Sequence, residues 1–467
     1  MTATITPSGF SRKESVGIAL SSPPDADTRN TGAGTGENGV IVDERIAKRA
    51  SIASFVGTAM EWYDFYLFST ASALVFASQF FTGHSTWVAL MSSFATFAIG
   101  FVARPIGGII FGTLGDRIGR KSVLLITVIG IGGITALIGL LPTTAQIGIW
   151  APTLLAVLRF LQGLAVGGEW SGAVTYSAEH APTAKRAWYA VLPQFGSPCG
   201  TILSSGMFFL TAALMDDESF SSWGWRLPFL FAIPLLLVAI WVRKNMAESP
   251  VFNKMEEKKE ISRNPLKQVV KTKLPQILVG FLVSLVGVGG FYIVTTFFQS
   301  YGRNTLGIST DVLLLASMIG AIGEVLVLWI GGKAGVAVGP SKVALGGAIL
   351  SAVLAFPIFL LLSTRNTAAV VVAMTLGYMA CSFPYAAQGA ILTALFPANM
   401  RLSGVSTATN MGAIFSGFMP LIATALVGAS GGSWWPAAVL LIAICALTTV
   451  GALLAPRLSV REESMKY

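Results

Sequence analysis

Six ionisable residues lie inside apolar stretches of the chain, where charge is costly and indicates a functional site. They are Glu61, Asp64, Arg104, Arg159, Glu169 and Glu324. Glu61 and Asp64 are three residues apart, so they share a face if that stretch is helical. An arginine binds a carboxylate through two hydrogen bonds, and a carboxylate in an apolar setting can take up a proton. These residue types therefore predict binding of an acid together with a proton.

The composition shows what kind of protein must position these charges. Of the 467 residues, 54% are hydrophobic and only 11% are charged, whereas soluble domains average about 25% charged residues. This excludes an ordinary soluble enzyme, a disordered protein and a disulfide scaffold. The short alternating segments of a membrane β-barrel do not occur. Twelve segments are long and apolar enough to cross a bilayer as helices; they lie near 52–80, 87–112, 122–142, 149–172, 186–214, 225–243, 275–301, 311–332, 342–363, 367–394, 402–429 and 434–455.

The predicted fold is therefore all-α and integral to the membrane, with two six-helix halves. Residues 51–243 form the first half and 275–455 the second, separated by a charged cytoplasmic linker at 244–274. Residues 1–50 are predicted to be a disordered cytoplasmic tail, and 456–467 a short cytoplasmic C-terminal tail. Most of the lysines and arginines fall on the side of the two tails, which predicts that this side is cytoplasmic. The net charge of +9 is thus a topology signal and not a nucleic-acid site.

An internal repeat relates the two halves. When Gly112 is aligned with Gly332, the three glycines of Gly112–Gly119 fall on the three of Gly332–Gly339. In the same alignment Arg104 falls on Glu324. The halves are therefore predicted to be pseudo-symmetric, as in transporters built from parallel repeats.

Several motifs carry a family resemblance that covers about residues 45 to 457. Gly112–Lys121 (GTLGDRIGRK) resembles the loop signature of the major facilitator superfamily, and Arg159–Gly163 (RFLQG) resembles its fourth-helix signature. Glu61–Phe65 (EWYDF), Trp223–Phe229 (WGWRLPF) and Glu248–Phe252 (ESPVF) narrow the resemblance to the metabolite:proton symporter branch. That branch includes carriers of shikimate, α-ketoglutarate, citrate, and proline or betaine.

The resemblance implies the major facilitator fold and alternating access by rocking of the two halves. It also implies a cytoplasmic charge cluster that gates the site; its predicted members are Asp116, Arg117, Arg120, Glu169, Glu179 and Arg186. For this cluster, ordinary topology-setting charge is the alternative. Spans one, four, five, seven, eight and ten would line the cavity. Their neutral candidates for hydrogen bonding a substrate are Tyr63, Tyr189, Gln194, Tyr292, Thr295, Gln299, Tyr385 and Gln388, for which helix–helix hydrogen bonding is the alternative.

Two departures from the family pattern bear on function. The second-half loop carries Val336, Ala337 and Pro340 where a repeated signature would place charges, which predicts looser gating or gating by packing. The C-terminal tail is short, whereas osmosensing proline/betaine carriers have a long helical extension, and this disfavours a betaine carrier.

Depth along the helices separates the roles of the buried charges. At a rise of about 1.5 Å per residue, Asp64 and Arg159 lie near the midplane, and Glu61 and Arg104 lie closer to the cytoplasm. We expect Asp64, with Glu61, to carry the coupled proton, and Arg159, with Arg104, to bind the substrate carboxylate. The alternative is a pair of fixed structural ion pairs. Glu324 is either a second proton site, a gate residue, or a protonated core residue.

The sequence thus predicts a proton-coupled symporter in the plasma membrane that imports a small organic acid, favouring a shikimate-like hydroxylated or aromatic carboxylate. A dicarboxylate carrier and a carrier of proline or betaine are the alternatives, and a transporter-derived membrane sensor is the alternative of another class. The expected partners are the substrate, protons and the lipid bilayer, with the monomer as the functional unit. No enzymatic activity, metal, cofactor or nucleic-acid partner is predicted.

Overall fold

A computed structural model describes residues 33–35, 41–83, 85–118, 120–167, 169–244, 265–397 and 400–460. Only the backbone is described for 33–35, 41–44, 46, 112–118, 120–124, 183, 217 and 265–267. The described residues contain twelve long helices. The first half comprises α1 Glu44–Leu74, α2 Thr86–Ile118, α3 Arg120–Gly139, α4 Trp150–Glu179, α5 Arg186–Leu214 and α6 Gly224–Lys244. The second half comprises α7 Leu274–Asn304, α8 Thr310–Val338, α9 Pro340–Ser363, α10 Thr367–Leu395, α11 Arg401–Ala429 and α12 Trp435–Leu458.

The lengths of the helices fit a bilayer. Within the described part of the chain, ten helices are long and apolar enough to cross a membrane, and α3 contributes the shorter apolar segment Leu125–Gly139. The first helix, α1, completes the predicted set of twelve. An even number of crossings places the start of α1 and the end of α12 on one side of the bundle, which we call the tail face. The other side is the opposite face.

Short elements connect or precede the long helices. Strand β1 (Ala33–Thr35) pairs antiparallel with β2 (Ile41–Asp43), with Ala33 facing Asp43. The short helices are Phe76–Phe80, Thr144–Ile147, Asp217–Ser222 and Pro265–Thr272.

The helices extend past several predicted domain boundaries. The α1 helix begins at Glu44, inside the predicted N-terminal tail, and α12 continues to Leu458, inside the predicted C-terminal tail. The predicted linker contains the helix Pro265–Thr272. Alanine, lysine and arginine all favour the helix. At a membrane surface, lysine and arginine can also continue it because their long side chains keep the charge in water. Residues 1–32, 36–40, 245–264 and 461–467 lie outside the described part of the chain, so the predicted disorder of the N-terminal tail stays a prediction.

Three helices are irregular near the middle of the bundle. The α4 helix consists of Trp150–Val166 and Glu169–Glu179, and α5 contains a 3₁₀ turn at Leu192–Phe195. The α7 helix contains two π-helical stretches, Leu285–Gly290 and Ile293–Phe297. Such π turns occur frequently at functional sites.

Glycines let the helices approach closely. Gly163 of α4 packs on the backbone of Gly100 in α2, and Gly200 of α5 packs on the backbone of Trp62 and Tyr63 in α1; a Cβ atom at either glycine would collide there. Small residues of this kind are typical of helix packing in lipid, where the backbones must come close to gain van der Waals contact. Between the halves, α5 packs against α8, and α2 packs against α11.

Candidate functional site

Asp64 and Arg159 meet in a hydrogen-bonded network inside the first half. Arg159 Nη1 lies 3.8 Å from Asp64 Oδ2 and donates to Gln162 Oε1 at 2.6 Å. The Gln162 amide donates in turn to Asp64 Oδ1, which also accepts a hydrogen bond from the Thr135 hydroxyl. Helices α1, α3 and α4 are thereby connected by one buried polar network.

This network is sealed from the surroundings. The Arg159 side chain has no exposed surface, and its guanidinium lies 4.2 Å from the ring centre of Phe68 and 5.0 Å from that of Phe65. Cation–π contact of this kind stabilises a guanidinium that has lost its water. Arg159 is therefore enclosed by aromatic rings and paired with Asp64, although its Nη2 has no hydrogen-bond partner among the described residues.

Glu61 and Arg104 form the second predicted pair. Arg104 Nη2 donates to Glu61 Oε1 at 3.2 Å, and the guanidinium lies 4.0 Å from the ring centre of Phe65. The Arg104 side chain is 12% exposed, and Glu61 is 2% exposed. Glu61 Oε2 and Arg104 Nε have no hydrogen-bond partner among the described residues. Asp64 Oδ2 and Arg159 Nη2 also have no hydrogen-bond partner among the described residues, so the two pairs differ in the exposure of their arginines, 12% for Arg104 and 0% for Arg159.

Glu61 and Arg104 line a cavity of about 40 Å³ between the two halves. Helices α1, α2 and α4 form one wall, and α7, α10 and α11 form the other. The lining residues of the first half are Glu61, Trp62, Arg104, Val166, Gly167, Glu169, Trp170 and Ser171, and those of the second half are Val288, Tyr292, Tyr385, Gln388, Thr409, Asn410 and Ala413. Ligand pockets are usually about 300–1,000 Å³, so the halves must separate before this cavity admits a metabolite.

Three of the predicted neutral residues line the cavity. They are Tyr292, Tyr385 and Gln388. Tyr385 accepts a hydrogen bond from the Trp170 indole at 3.3 Å, across the boundary between the halves. The Tyr292 hydroxyl and Gln388 Oε1 are buried and have no hydrogen-bond partner among the described residues. Buried polar atoms are normally bonded, so these two atoms are available to a ligand.

The other neutral candidates have hydrogen bonds within the bundle, most of them between two helices. Tyr63 of α1 donates to the Pro228 carbonyl in α6. Gln194 Nε2 lies 3.5 Å from the Ala386 carbonyl in α10, and Gln299 Nε2 donates to Ser317 Oγ at 2.8 Å. Thr295 donates to the Phe291 carbonyl within α7. The backbone carbonyl of the remaining candidate, Tyr189, accepts a hydrogen bond from the Ser177 hydroxyl. None of these residues lines the cavity within the described part of the chain.

Glu324 has a different environment from the other buried acids. It lies in the middle of α8 and is completely buried. Ser197 of α5 donates to Glu324 Oε1 at 2.8 Å, and the Tyr66 hydroxyl lies 3.0 Å from Ser197 Oγ. The acid of the second half is therefore hydrogen-bonded to α5 of the first half, and through Ser197 it is connected to Tyr66 on α1.

The predicted gate residues divide into contacts within one half and contacts between halves. Glu169 contacts Arg243 of α6 and accepts a hydrogen bond from Thr127 of α3, both in the first half. Glu179 forms an ion pair of 3.6 Å with Arg401 of α11, which crosses between the halves. Arg186 begins α5. The side chains of the remaining gate candidates, Asp116, Arg117 and Arg120, lie outside the described ones.

The halves touch at both faces. At the tail face, the Glu179–Arg401 pair connects the halves. Deeper in the bundle, at the cavity wall, Asn410 Nδ2 donates to the Gly167 carbonyl at 3.1 Å. Towards the opposite face, the Ser69 hydroxyl bonds to Thr296, and Asn304 Nδ2 lies 3.4 Å from the Ala73 carbonyl. The two halves are therefore in contact on both sides of the central cavity.

The structure also shows partners that the sequence analysis did not select. Gln162 is three residues after Arg159, so the helical repeat could have placed it on the same face. Thr135 and Ser197 are ordinary hydroxyls in apolar spans, and nothing in their local sequence marks them. Arg243 lies in the last turn of α6, next to the basic linker, where a cation is expected at a membrane surface. Across the described residues, no group of three histidines, cysteines or carboxylates is placed to hold a metal ion.

Comparisons with known proteins place the chain in a family. The profile described as "Sugar (and other) transporter" matches residues 50–279. The shikimate transporter of Escherichia coli K12 is 36% identical over 416 residues, which cover 87% of this chain and 94% of that protein. The inner membrane metabolite transport protein YhjE of the same organism is 38% identical and covers 78% of this chain and 84% of its own.

The chain belongs to the major facilitator superfamily. This facilitator is a multi-pass membrane transporter and not an enzyme, as the sequence predicted. The proline/betaine transporter of Escherichia coli K12 is a further relative, 31% identical over 86% of this chain and 82% of its own length.

The fold agrees with that of solved facilitators. The structure of the proton:xylose symporter XylE bound to 6-bromo-6-deoxy-D-glucose superposes with a TM-score of 0.69, covering 89% of this chain and 96% of that one at 18% identity. A partially occluded inward-open structure of XylE from E. coli gives a TM-score of 0.67. The prediction of an all-α major facilitator fold is thereby confirmed.

Proposed function

We propose that this facilitator is a proton-coupled symporter that imports a small monocarboxylic acid of the shikimate type. One observation carries the proposal. The Glu61–Arg104 pair lines the cavity between the halves, and each partner keeps one buried polar atom without a hydrogen bond among the described residues.

The geometry of this pair couples substrate to proton. A substrate carboxylate that binds Arg104 competes with Glu61 for the same guanidinium. Glu61 then remains in a closed apolar site without its cation, where the protonated acid is more stable than the ion. Binding of acid and proton therefore favour one another, and the loaded site carries less net charge while the halves rock.

The two arginines take different roles in this proposal. Depth along the helix favoured Arg159 as the substrate anchor, but its guanidinium is enclosed by Phe65, Phe68 and Phe97 and does not line the described cavity. Arg104 is the arginine with access. Asp64, bonded to Arg159, Gln162 and Thr135, is the second proton-accepting group, one helical turn beyond Glu61.

The cavity lining favours a monocarboxylate over a dicarboxylate. Arg104 is the only cation among the described lining residues, which also include the carboxylates Glu61 and Glu169. A second substrate carboxylate would have no cation to meet. The rings of Trp62, Trp170, Tyr292 and Tyr385 offer flat apolar contact, and the hydroxyl of Tyr292 and the amide of Gln388 offer hydrogen bonds. A hydroxylated ring with one carboxylate fits both features, and the relative named as a shikimate transporter supports this choice.

The orientation follows from the distribution of basic residues. We propose that the tail face is cytoplasmic, because most lysines and arginines lie in the connections of that face. The Glu179–Arg401 pair would then close the cytoplasmic side. Import requires this pair to break.

A zwitterion is the second candidate substrate. The aromatic side chains around the cavity could bind a quaternary ammonium by cation–π contact, while Arg104 binds the carboxylate. The similarity to a proline/betaine transporter supports this alternative.

Uptake by proteoliposomes under an imposed pH gradient tests the proposal. The panel contains shikimate, α-ketoglutarate, citrate, proline and betaine. We expect shikimate to accumulate when the outside is more acidic and to equilibrate without accumulation after a protonophore is added. If no compound in the panel responds to the gradient, symport is ruled out; if betaine alone responds, the zwitterion is the substrate.

The variant Asp64→Asn tests the coupling role within the same assay. It keeps the shape of the side chain but cannot exchange a proton. We expect accumulation to be lost while exchange of labelled for unlabelled substrate continues, because exchange needs no net proton movement. Asp311→Asn, an exposed acid at the start of α8, is the matched control. Full accumulation by Asp64→Asn would remove Asp64 from coupling.

A further inference from the structure

Glu324 stands apart from the other buried acids because its described surroundings contain no cation. The Asp64 and Glu61 carboxylates each lie beside an arginine. For Glu324, the one hydrogen-bond partner is the Ser197 hydroxyl, and Oε2 has no partner among the described residues. An ionised carboxylate would be poorly stabilised here, because an unpaired charge that has lost its water is costly.

The neighbours of Glu324 on every packed helix are neutral in their ordinary state. The titratable groups that interact with it are Tyr66 on α1, Cys199 on α5, and Tyr378, Cys381 and Tyr385 on α10. Tyrosine and cysteine ordinarily remain protonated at neutral pH. No described lysine or arginine forms an ion pair with Glu324. The closed arrangement therefore fits an uncharged Glu324.

The hydrogen bonds of Glu324 cross the boundary between the halves. Ser197 lies on α5 and Glu324 on α8, at an interface along which the halves pack. The Tyr66 hydroxyl extends the chain of hydrogen bonds to α1. The ring centre of Tyr66 lies 6.5 Å from that of Tyr292, which is in the cavity wall. Whatever separates α5 from α8 admits water to Glu324, and water stabilises the ionised form.

We infer that Glu324 is a proton-dependent latch between the two halves: protonation lets α5 and α8 close over it, and ionisation requires them to part. The inference rests on the proposed symport only for the role of Glu324 in the cell, because the closure of α5 and α8 over Glu324 does not itself depend on transport. Both loaded and empty carriers must pass through the closed state. Glu324 therefore governs how fast the halves exchange at a given pH, whereas the ratio of protons to substrate depends on the first-half acids.

Distances between spin labels test the latch directly. One pair, at Ala184 and Val338, reports on the tail face; a second, at Leu214 and Leu315, reports on the opposite face, and all four side chains are exposed. The labels are placed after the native cysteines Cys199, Cys381 and Cys445 have been replaced in every variant. The purified protein is measured in lipid nanodiscs from about pH 5 to about pH 9, a range that spans titration of a buried acid.

We expect the closed population of the native sequence to fall as the pH rises, with a longer distance at one of the two faces. Glu324→Gln mimics the protonated acid and should keep the closed population at every pH. Asp311→Asn, on the same helix but exposed, should behave like the native sequence. An equal pH response in Glu324→Gln and the native protein would overturn the inference.

A second variant keeps the test decisive if Glu324→Gln fails to fold. Ser197→Ala removes the hydroxyl that bonds to Glu324, so the closed population should decrease at every pH and respond at lower pH than in the native protein. An unchanged pH response in Ser197→Ala would contradict the latch. Failure of the proposed symport is distinguishable, because it would abolish gradient-driven uptake and leave the pH dependence of these distances intact.

Discussion

The two halves of the bundle hold their buried polar groups in different ways. In the first half, Asp64 and Glu61 are each paired with an arginine, and the guanidiniums rest on aromatic rings. In the described second half, Glu324 has a hydroxyl as its partner, and Gln299 bonds to Ser317.

This difference concerns two residues that the predicted repeat aligns. Arg104 and Glu324 fall on one another in that alignment, yet Arg104 lines the cavity beside an acid and Glu324 lies at the interface with α5. The buried acids of the first half thus lie beside cations, and the buried acid of the described second half lies beside a hydroxyl.

The largest effect on stability is expected at Arg159, in the buried network of the first half. Arg159→Ala leaves Asp64 buried without its cation, and loss of one member of a buried pair costs about 3–5 kcal/mol. We expect a much lower melting temperature of the purified protein than for Lys342→Ala, which removes an exposed lysine at the start of α9. Equal melting temperatures would show that the first-half network does not stabilise the fold.

A smaller effect, on affinity, is expected at Arg104. Its guanidinium borders the cavity, so Arg104→Ala should weaken binding of an acid by about 10- to 100-fold, the equivalent of one charge-assisted hydrogen bond of about 1.5–3 kcal/mol. Equilibrium binding of labelled shikimate measures this, with Lys342→Ala as the control. Arg104→Lys should recover part of the affinity because it keeps the charge but not the paired donors. Unchanged affinity in Arg104→Ala would move the substrate away from this arginine.

Gln299 offers the corresponding test in the second half. Gln299→Leu removes a neutral hydrogen bond of 2.8 Å to Ser317, whose hydroxyl keeps its bond to the Leu313 carbonyl. We expect a loss of only about 0.5–1.5 kcal/mol, measured as a small decrease in melting temperature. A loss as large as that of Arg159→Ala would contradict the contrast between the halves.

The smallest effect is expected at an acid that remains in water. Asp216 accepts hydrogen bonds from the backbone and the hydroxyl of Ser219, and these bonds lower the pKa of Asp216 below its ordinary value. The ionised cap therefore stabilises the helix Asp217–Ser222 above the ordinary pKa and is lost as the pH falls through the lowered one. Hydrogen exchange at the Ser219 amide should lose protection at low pH, and Asp216→Ala should remove this pH-dependent loss. Identical pH dependence in Asp216→Ala would show that the acid does not cap the helix.

Much of the fold could be predicted from the sequence. Spans, their number and the division into halves follow from hydropathy, because a membrane helix satisfies its own backbone hydrogen bonds and needs only a run of apolar residues. Helix ends were less predictable. The α1 helix begins at Glu44 because basic residues at the membrane edge are as compatible with a helix as with a connecting segment.

The site was predictable in its residue types and not in its contacts. Counting along helices brought Asp64 and Arg159 to one depth and Glu61 and Arg104 to another, and both pairs meet in the structure. Helix rotation decided which pair borders the cavity, and depth alone gave the preference to Arg159. Ser197, Thr135 and Arg243 acquire their roles from helices far away in sequence, which no local pattern records.

The sequence by itself determined that this chain crosses the membrane repeatedly, that it belongs with the facilitators, and that few charges are available for its chemistry. These properties depend on composition and on short motifs, which are local. Only the tertiary structure decided that Arg104 and not Arg159 borders the cavity, and that Glu324 faces hydroxyls and not a cation. Those outcomes depend on how helices rotate and pack, and side chains 98 and 127 residues apart in sequence make the contacts that settle them.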